Sequence, residues 1–132
     1  LKLITKRDRW MHNSWFANLE RMKRAGRDEN PLSIHPDDAV ARGLADGDLA
    51  RVANEWGELE VRVQFDDDLM PGVVALVHGW GHSTSPGMRV AQRTPGVNPN
   101  VLLPIGPGSF EPLSSQAHMT GIPVELRPAA VP

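Results

Sequence analysis

Three observations predict a mainly β fold with short connections. Glu58–Phe65 alternates strictly, with Leu59, Val61, Val63 and Phe65 on one face and Glu58, Glu60, Arg62 and Gln64 on the other. Val73–Val77 is wholly apolar, as a strand buried on both faces would be. Among 132 residues, 12 glycines and 12 prolines separate short apolar runs, so turns must be frequent. Together these give about six strands, one or two short helices and two long loops. That is a barrel or sandwich class, and residue patterning alone does not choose between the two topologies.

The elements follow in chain order. Leu1–Thr5 is apolar and β-prone and opens the chain as a strand, with a polar loop over Lys6–Ser14. Trp15, Phe16, Leu19 and Met22 recur at three- and four-residue spacing, which predicts a helix from Trp15 to Ala25, capped by Asn13 or Ser14 and ended by Gly26. Pro31–Ile34 is a short strand. His35-Pro36-Asp37-Asp38-Ala39 then opens a helix, because proline loses nothing at the first helical position and the two carboxylates suit the positive end of the dipole. Gly43 ends that helix in the left-handed conformation. Ala45–Asp48 turns into strand Leu49–Ala53, and Asn54–Gly57 turns into Glu58–Phe65. Asp66–Asp68 and Met70-Pro71-Gly72 lead into Val73–Val77. A long Gly-, Pro- and Ser-rich segment, 78–100, precedes an extended Val101–Ile105 and a second loop, 106–120. Segments of that length without structure in a compact domain are usually functional. Ile122–Leu126 is the last strand.

Composition excludes several classes. With no cysteine, the chain carries no disulfide framework, zinc ribbon, iron–sulfur site or thiol nucleophile. No apolar run approaches the roughly 20 residues that span a bilayer. A net charge of −2 argues against a general nucleic-acid binder. The charge is nevertheless segregated: residues 1–27 carry +6 and the remainder −8. A basic segment on an acidic domain suits a polyanionic small ligand or an acidic partner surface, or is simply a solvated basic face. The chain opens on Leu1 within a strand, which reads as a piece of a longer polypeptide.

Four constellations carry candidate chemistry. Thr5-Lys6-Arg7 at a strand end, with His12-Asn13-Ser14 beyond it, can converge hydroxyl, amide and guanidinium donors on phosphate oxygens. Asp38, after His35 at a helix start, can accept the paired donors of a guanine edge, or serve only as a cap. His78-Gly79-Trp80-Gly81-His82 has the i, i+4 histidine spacing of a helical zinc site. Its glycines argue against a helix, so it reads as a loop of close approach anchored by Trp80. Gly108-Ser109 lies too late in the chain for a self-cleaving pyruvoyl site. No phosphate-binding P-loop, nucleophile elbow or dinucleotide fingerprint is present.

Taken in order, Leu3-Ile4-Thr5-Lys6-Arg7, Met11-His12-Asn13-Ser14, Ile34-His35-Pro36-Asp37-Asp38-Ala39, Arg42–Asp48, Met70–Val74, Gly96–Leu102, Glu111-Pro112-Leu113-Ser114 and Gly121–Val124 resemble one family. It is the molybdopterin dinucleotide-binding domain found at the C-terminus of molybdopterin oxidoreductases of the dimethyl sulfoxide reductase superfamily. The resemblance implies a six-stranded double-psi β-barrel over residues 1–132, with Asp46-Gly47-Asp48 resembling the Gly-Asp signature of that barrel. It implies a bis(molybdopterin guanine dinucleotide) cofactor with molybdenum or tungsten, shared with the remaining domains of a parent oxidoreductase. The metal's protein ligand lies in another domain in that family, so the chain is not expected to be catalytic alone. By that resemblance Thr5, Arg7, His12, Asn13 and Ser14 face phosphate or pterin, His35 and Asp38 border the guanine, and Asn100, with Asn98 as the competing choice, meets the pterin edge. Three positions depart from the family pattern: Lys6 stands where glycine is common, and the late Asp-Pro-Leu-Ser-Gly segment reads Glu111-Pro112-Leu113-Ser114-Ser115, with Glu111 for the aspartate and Ser115 for the glycine. A free-standing cofactor-binding subunit, as in formylmethanofuran dehydrogenases, and a barrel used for protein recognition, as in some AAA ATPases, are the alternatives.

Overall fold

A computed structural model describes residues 1–130. Seven strands form one sheet: β1 (Lys2–Lys6), β2 (Leu32–Ile34), β3 (Leu49–Ala53), β4 (Glu58–Phe65), β5 (Val73–Val77), β6 (Thr120–Pro123) and β7 (Glu125–Pro128). Their order across the sheet is β6-β1-β5-β2-β4-β3-β7. The sheet is mixed, with β1–β5 and β2–β4 parallel and the other pairs antiparallel. The outermost strands, β6 and β7, are consecutive in the chain and separated only by Val124. Its N–H donates to the carbonyl of Leu1, and the Leu1 amine donates back to its carbonyl. Thus the sheet curls until one continuous segment serves both of its ends.

The expected last strand, Ile122–Leu126, is therefore two strands that change partner at Val124, from β1 to β3. Gly121, at φ +74°, is the extra residue of a bulge: Leu3 pairs with Ile122 and Ile4 with Thr120. The alternation in β4 holds, with Val61 and Val63 buried and their neighbours on the wet face. The main core is built by the strands, with Leu3, Leu32, Ile34, Val52, Val74 and Leu76 fully buried.

Helix α1 (Pro36–Val40) starts as predicted and turns out through Gly43 at φ +71°. Helix α2 (Arg89–Arg93) lies inside the segment expected to be a bare loop. The helix expected over Trp15–Ala25 does not form: turns are followed by one 3₁₀ turn, Glu20–Lys23. Its apolar residues do not share a face, since Ala17 is buried while Trp15 is 78% exposed, and an eleven-residue helix without a packed face is marginal in water. Val101–Ile105 is not extended either. Pro99–Leu102 is a 3₁₀ turn whose start is capped by Asn98, which accepts from the Asn100 N–H at 3.1 Å. No helix among the described residues is long and apolar enough to cross a membrane.

Candidate functional site

A second, smaller hydrophobic cluster lies outside the main core and organises the site. Met11, Ala17, Trp80 and Ala91 are buried together, with Val77 and Met88 against them. Segments 7–18, 78–82 and 88–91 therefore meet where β1 and β5 end, and 22–31 and 95–100 close on them through Lys23, Asn30 and Asn98. Side-chain amides tie them. Asn30, 3% exposed, donates to the carbonyls of Val77 and Val97 (2.8 and 2.9 Å) and accepts from the Val97 N–H (2.8 Å). Asn18 accepts from the N–H groups of Val90 and Ala91, so it caps α2 from about seventy residues away. Asn13 faces Nε2 of His78 through its side-chain oxygen at 2.9 Å. Close approach explains two glycines of the His78–His82 run. A Cβ on Gly79 would lie 1.6 Å from the Asn13 carbonyl oxygen, and one on Gly81 would lie 2.5 Å from Asn98 Cβ. The glycines thus admit other segments of this chain, and Trp80 is the anchor, 6% exposed.

Between the exit of β1 and the 22–31 segment lies a cavity of about 680 Å³. Lys6, Arg7, Arg9, Lys23, Arg27 and Arg62 line it against Asp8, Glu29 and Asp46. Lys23 is 9% exposed and its Nζ lies 3.4 Å from the centre of the Trp80 ring. Burial pushes its pKa down to about 8, with Asp28 and Asp8 pulling the other way. Burial, and then the positive charge of Arg7, lowers the pKa of His78. Three buried side-chain nitrogens lack a hydrogen-bond partner among the described residues: Lys23 Nζ, Trp80 Nε1 and His78 Nδ1. All three belong to this one corner. Buried polar groups are nearly always paired, so such a concentration is unusual.

The sequence-predicted residues fall into two sets. Arg7 lines the cavity and Asn13 is tied to His78, with His12 and Ser14 flanking Asn13 on the same exposed loop, while Asn100 sits exposed in the 3₁₀ turn two residues beyond Asn98. The His12 ring stacks on Phe16 with centroids 5.7 Å apart. Thr5 starts the set but spends its hydroxyl on the Met119 carbonyl at 3.2 Å, holding β1 to the approach of β6. Asn98 is occupied as a cap, whereas the exposed Asn100 makes no side-chain hydrogen bond among the described residues. His35 and Asp38 lie at the other end of β5, about 13 Å away at roughly 3.3 Å per residue along the strand. The cap of α1 is His35, whose Nδ1 accepts from the Asp37 N–H at 3.2 Å. Asp38 instead holds a corner, accepting from Arg42 at 3.2 Å and from the Gly72 N–H at 2.5 Å. Sequence reading missed Lys23, Arg27 and Asn30. A lysine directly before Arg24 within a basic run reads as surface, and only Trp80, arriving from 57 positions away, shows that it is not.

Residues 1–118 match the family described as the molydopterin dinucleotide binding domain. The chain is 36% identical over 75 residues to dimethyl sulfoxide/trimethylamine N-oxide reductase of Rhodobacter capsulatus, covering 57% of this chain and 9% of that protein. It is 33% identical over 90 residues to the dimethylsulfide dehydrogenase subunit alpha of Rhodovulum sulfidophilum, covering 67% of this chain and 10% of that one. Acetylene hydratase from Pelobacter acetylenicus shares the fold, with a TM-score of 0.78 over 98% of this chain and 18% of its own, at 19% identity. The chain thus spans about a tenth of the length of these curated relatives. On the strength of the match over residues 1–118, this chain belongs to the molydopterin dinucleotide binding domain family.

Proposed function

We propose that this chain holds a bis(molybdopterin guanine dinucleotide) cofactor, with molybdenum or tungsten, as one domain of a larger oxidoreductase of the dimethyl sulfoxide reductase type. The carrying observation is the corner at the ends of β1 and β5. A basic cavity there adjoins three buried nitrogens without partners. Such a corner fits a polyanionic group rich in acceptors, which would neutralise the cations and satisfy the nitrogens.

The metal of such a cofactor supplies the redox chemistry when bound, and the residues of this chain bind and orient it. Arg7 supplies a charged fork, and Asn13 and Ser14 supply amide and hydroxyl groups from an exposed loop next to it. His12 adds a ring on that loop, and Thr5 acts through the strand it holds in place. Asn100 offers an amide that can donate to and accept from a pterin edge at once. His35 and Asp38 take the guanine end. Both Asp38 oxygens are engaged within the chain, but each keeps a second lone pair for the paired donors of the base. The separation along β5 suits a long ligand whose two ends are recognised by different elements. The finer fold reading, a double-psi barrel, is supported by two places where consecutive antiparallel strands flank a third: β1 and β2 about β5, and β2 and β3 about β4.

The test is cofactor occupancy in the full-length protein, purified from a host that makes the cofactor and assayed for pterin and metal content. Arg7→Ala is expected to lower both several-fold, because a charge-assisted hydrogen bond is worth about 1.5–3 kcal/mol. Full occupancy in that variant would refute this role for the loop.

A further inference from the structure

We propose that Lys23 is a carbamylation site, where dissolved carbon dioxide adds to Nζ beneath the cavity at the β1 exit. The inference goes beyond the cofactor reading, because it concerns a covalent change of this chain's own side chain. It is carried by an amine denied its usual partners. Lys23 is 9% exposed, and its Nζ rests 3.4 Å from the centre of the Trp80 ring. Nζ donates to no acceptor, and no carboxylate lies within ion-pair distance of it among the described residues. The face of one indole offsets part of the lost hydration of an ammonium group, and burying such a charge unpaired favours the neutral amine. The chain's two other lysines, Lys2 and Lys6, are exposed, and Lys6 Nζ donates to Ser33 Oγ at 3.1 Å.

Only the neutral amine has a lone pair to offer. With the pKa of Lys23 held down to about 8, about half of Nζ is neutral at that pH, against less than about 1% for a solvated lysine. The lone pair attacks the carbon of carbon dioxide and forms an N–C bond as one C=O π bond opens onto oxygen. One N–H proton then leaves to solvent, giving Nζ–COO⁻, and nothing is oxidised or reduced. Size selects the electrophile: the burial of Nζ holds off bulky acyl donors, whereas carbon dioxide is small, linear and uncharged. Charge selects the product. Arg7, Arg9 and Arg27 on the cavity wall repel an ammonium group and attract a carbamate. Asp8 and Asp28 act in the opposite sense, and Asp8 already accepts from the Trp10 N–H at 2.8 Å. Of the remaining wall carboxylates, Glu29 pairs with Arg62 and Asp46 accepts from the Phe65 N–H. The modification exchanges a positive charge for a negative one at the cavity floor, so it opposes any polyanion seated there.

The test uses the wild-type full-length protein, produced in a host that cannot make molybdopterin. It is equilibrated at about pH 8 with isotopically labelled carbon dioxide and bicarbonate. An alkyloxonium salt then esterifies any carbamate, and the digested protein is read by peptide mass spectrometry. Labelled ester is expected on Lys23 at about ten times or more its level on Lys2 and Lys6, because they lack the burial that supplies neutral amine. That excess should fall as the pH is lowered from about 8 to about 6, since protonation removes the nucleophile. It should vanish in protein unfolded in guanidinium chloride before the label is added. Label on Lys23 no higher than on Lys2 overturns the proposal, and so does an excess that survives unfolding, which would trace it to local sequence and not to the fold. No cofactor enters the measurement, so its failure leaves the cofactor reading to the Arg7→Ala test.

Discussion

The two hydrophobic clusters are built by different rules. In the main core, strands present side chains at period two, and neighbouring strands supply the remaining walls, so Leu3, Val63 and Leu76 are buried because of their places in ladders. In the smaller cluster no ladder runs. Met11, Ala17, Trp80 and Ala91 come from irregular segments, which Asn18 and Asn30 join by hydrogen bonds spanning 47 to 73 positions. The sheet is thus held by its own ladders and core. The candidate site is a layer fastened to it at a few polar points, with basic groups left unpaired.

Substitutions that strike one cluster and spare the other test this division. Leu76→Ala removes a fully buried side chain from the main core and should cost about 3 kcal/mol, seen as one cooperative loss in denaturant unfolding. Asn30→Ala should cost about 2 kcal/mol, because it strands two carbonyls and an N–H in a buried place. Its signature is spatial: hydrogen exchange should quicken over 78–100 while the amides of β1, β4 and β5 stay protected. Uniform acceleration across the sheet would show that the two regions unfold as one.

Lys23 sharpens the comparison through pH. Its folded pKa, about 8, lies below the ordinary value of 10.5, so between those values the unfolded chain holds more protons than the folded one. Stability should therefore rise with pH from about 8 to 10.5 by about 1–2 kcal/mol relative to Lys23→Met, which lacks the group. Asp8 and Asp28 are the carboxylates whose attraction limits the shift. A wild type and variant with parallel pH profiles would mean that Lys23 is hydrated. The smallest effect is expected at Ser115, which holds φ +57° where the family pattern has glycine. Ser115→Gly should stabilise by about 0.5 kcal/mol, because relief of left-handed strain slightly exceeds the entropy glycine loses on folding. A lower melting temperature would show instead that the serine hydroxyl is needed.

Strands β1 to β5 and helix α1 were legible because their signals are local. A two-residue alternation, a proline at a helix start and a glycine at its end act within a few residues of where they are read. The loop of Arg7, His12, Asn13 and Ser14 and its basic charge were legible as well, through composition and order of motifs. The helix expected over Trp15–Ala25 failed although its spacing was right, because Trp15 and Leu19 stay exposed and the stripe they would share has no continuous partner among the described residues. Conversely, α2 has no cap of its own and forms because Asn18 reaches it. By itself, then, the sequence determined strands β1 to β5, the mainly β class of the fold and the segregation of charge, all of which depend on neighbours in the chain. Tertiary structure alone decided the exchange of partners at Val124, the burial of Lys23 on Trp80 and the separation of Asp38 from Arg7 along β5. Each of those depends on groups brought together from distant positions, and such meetings leave no periodic trace in either segment.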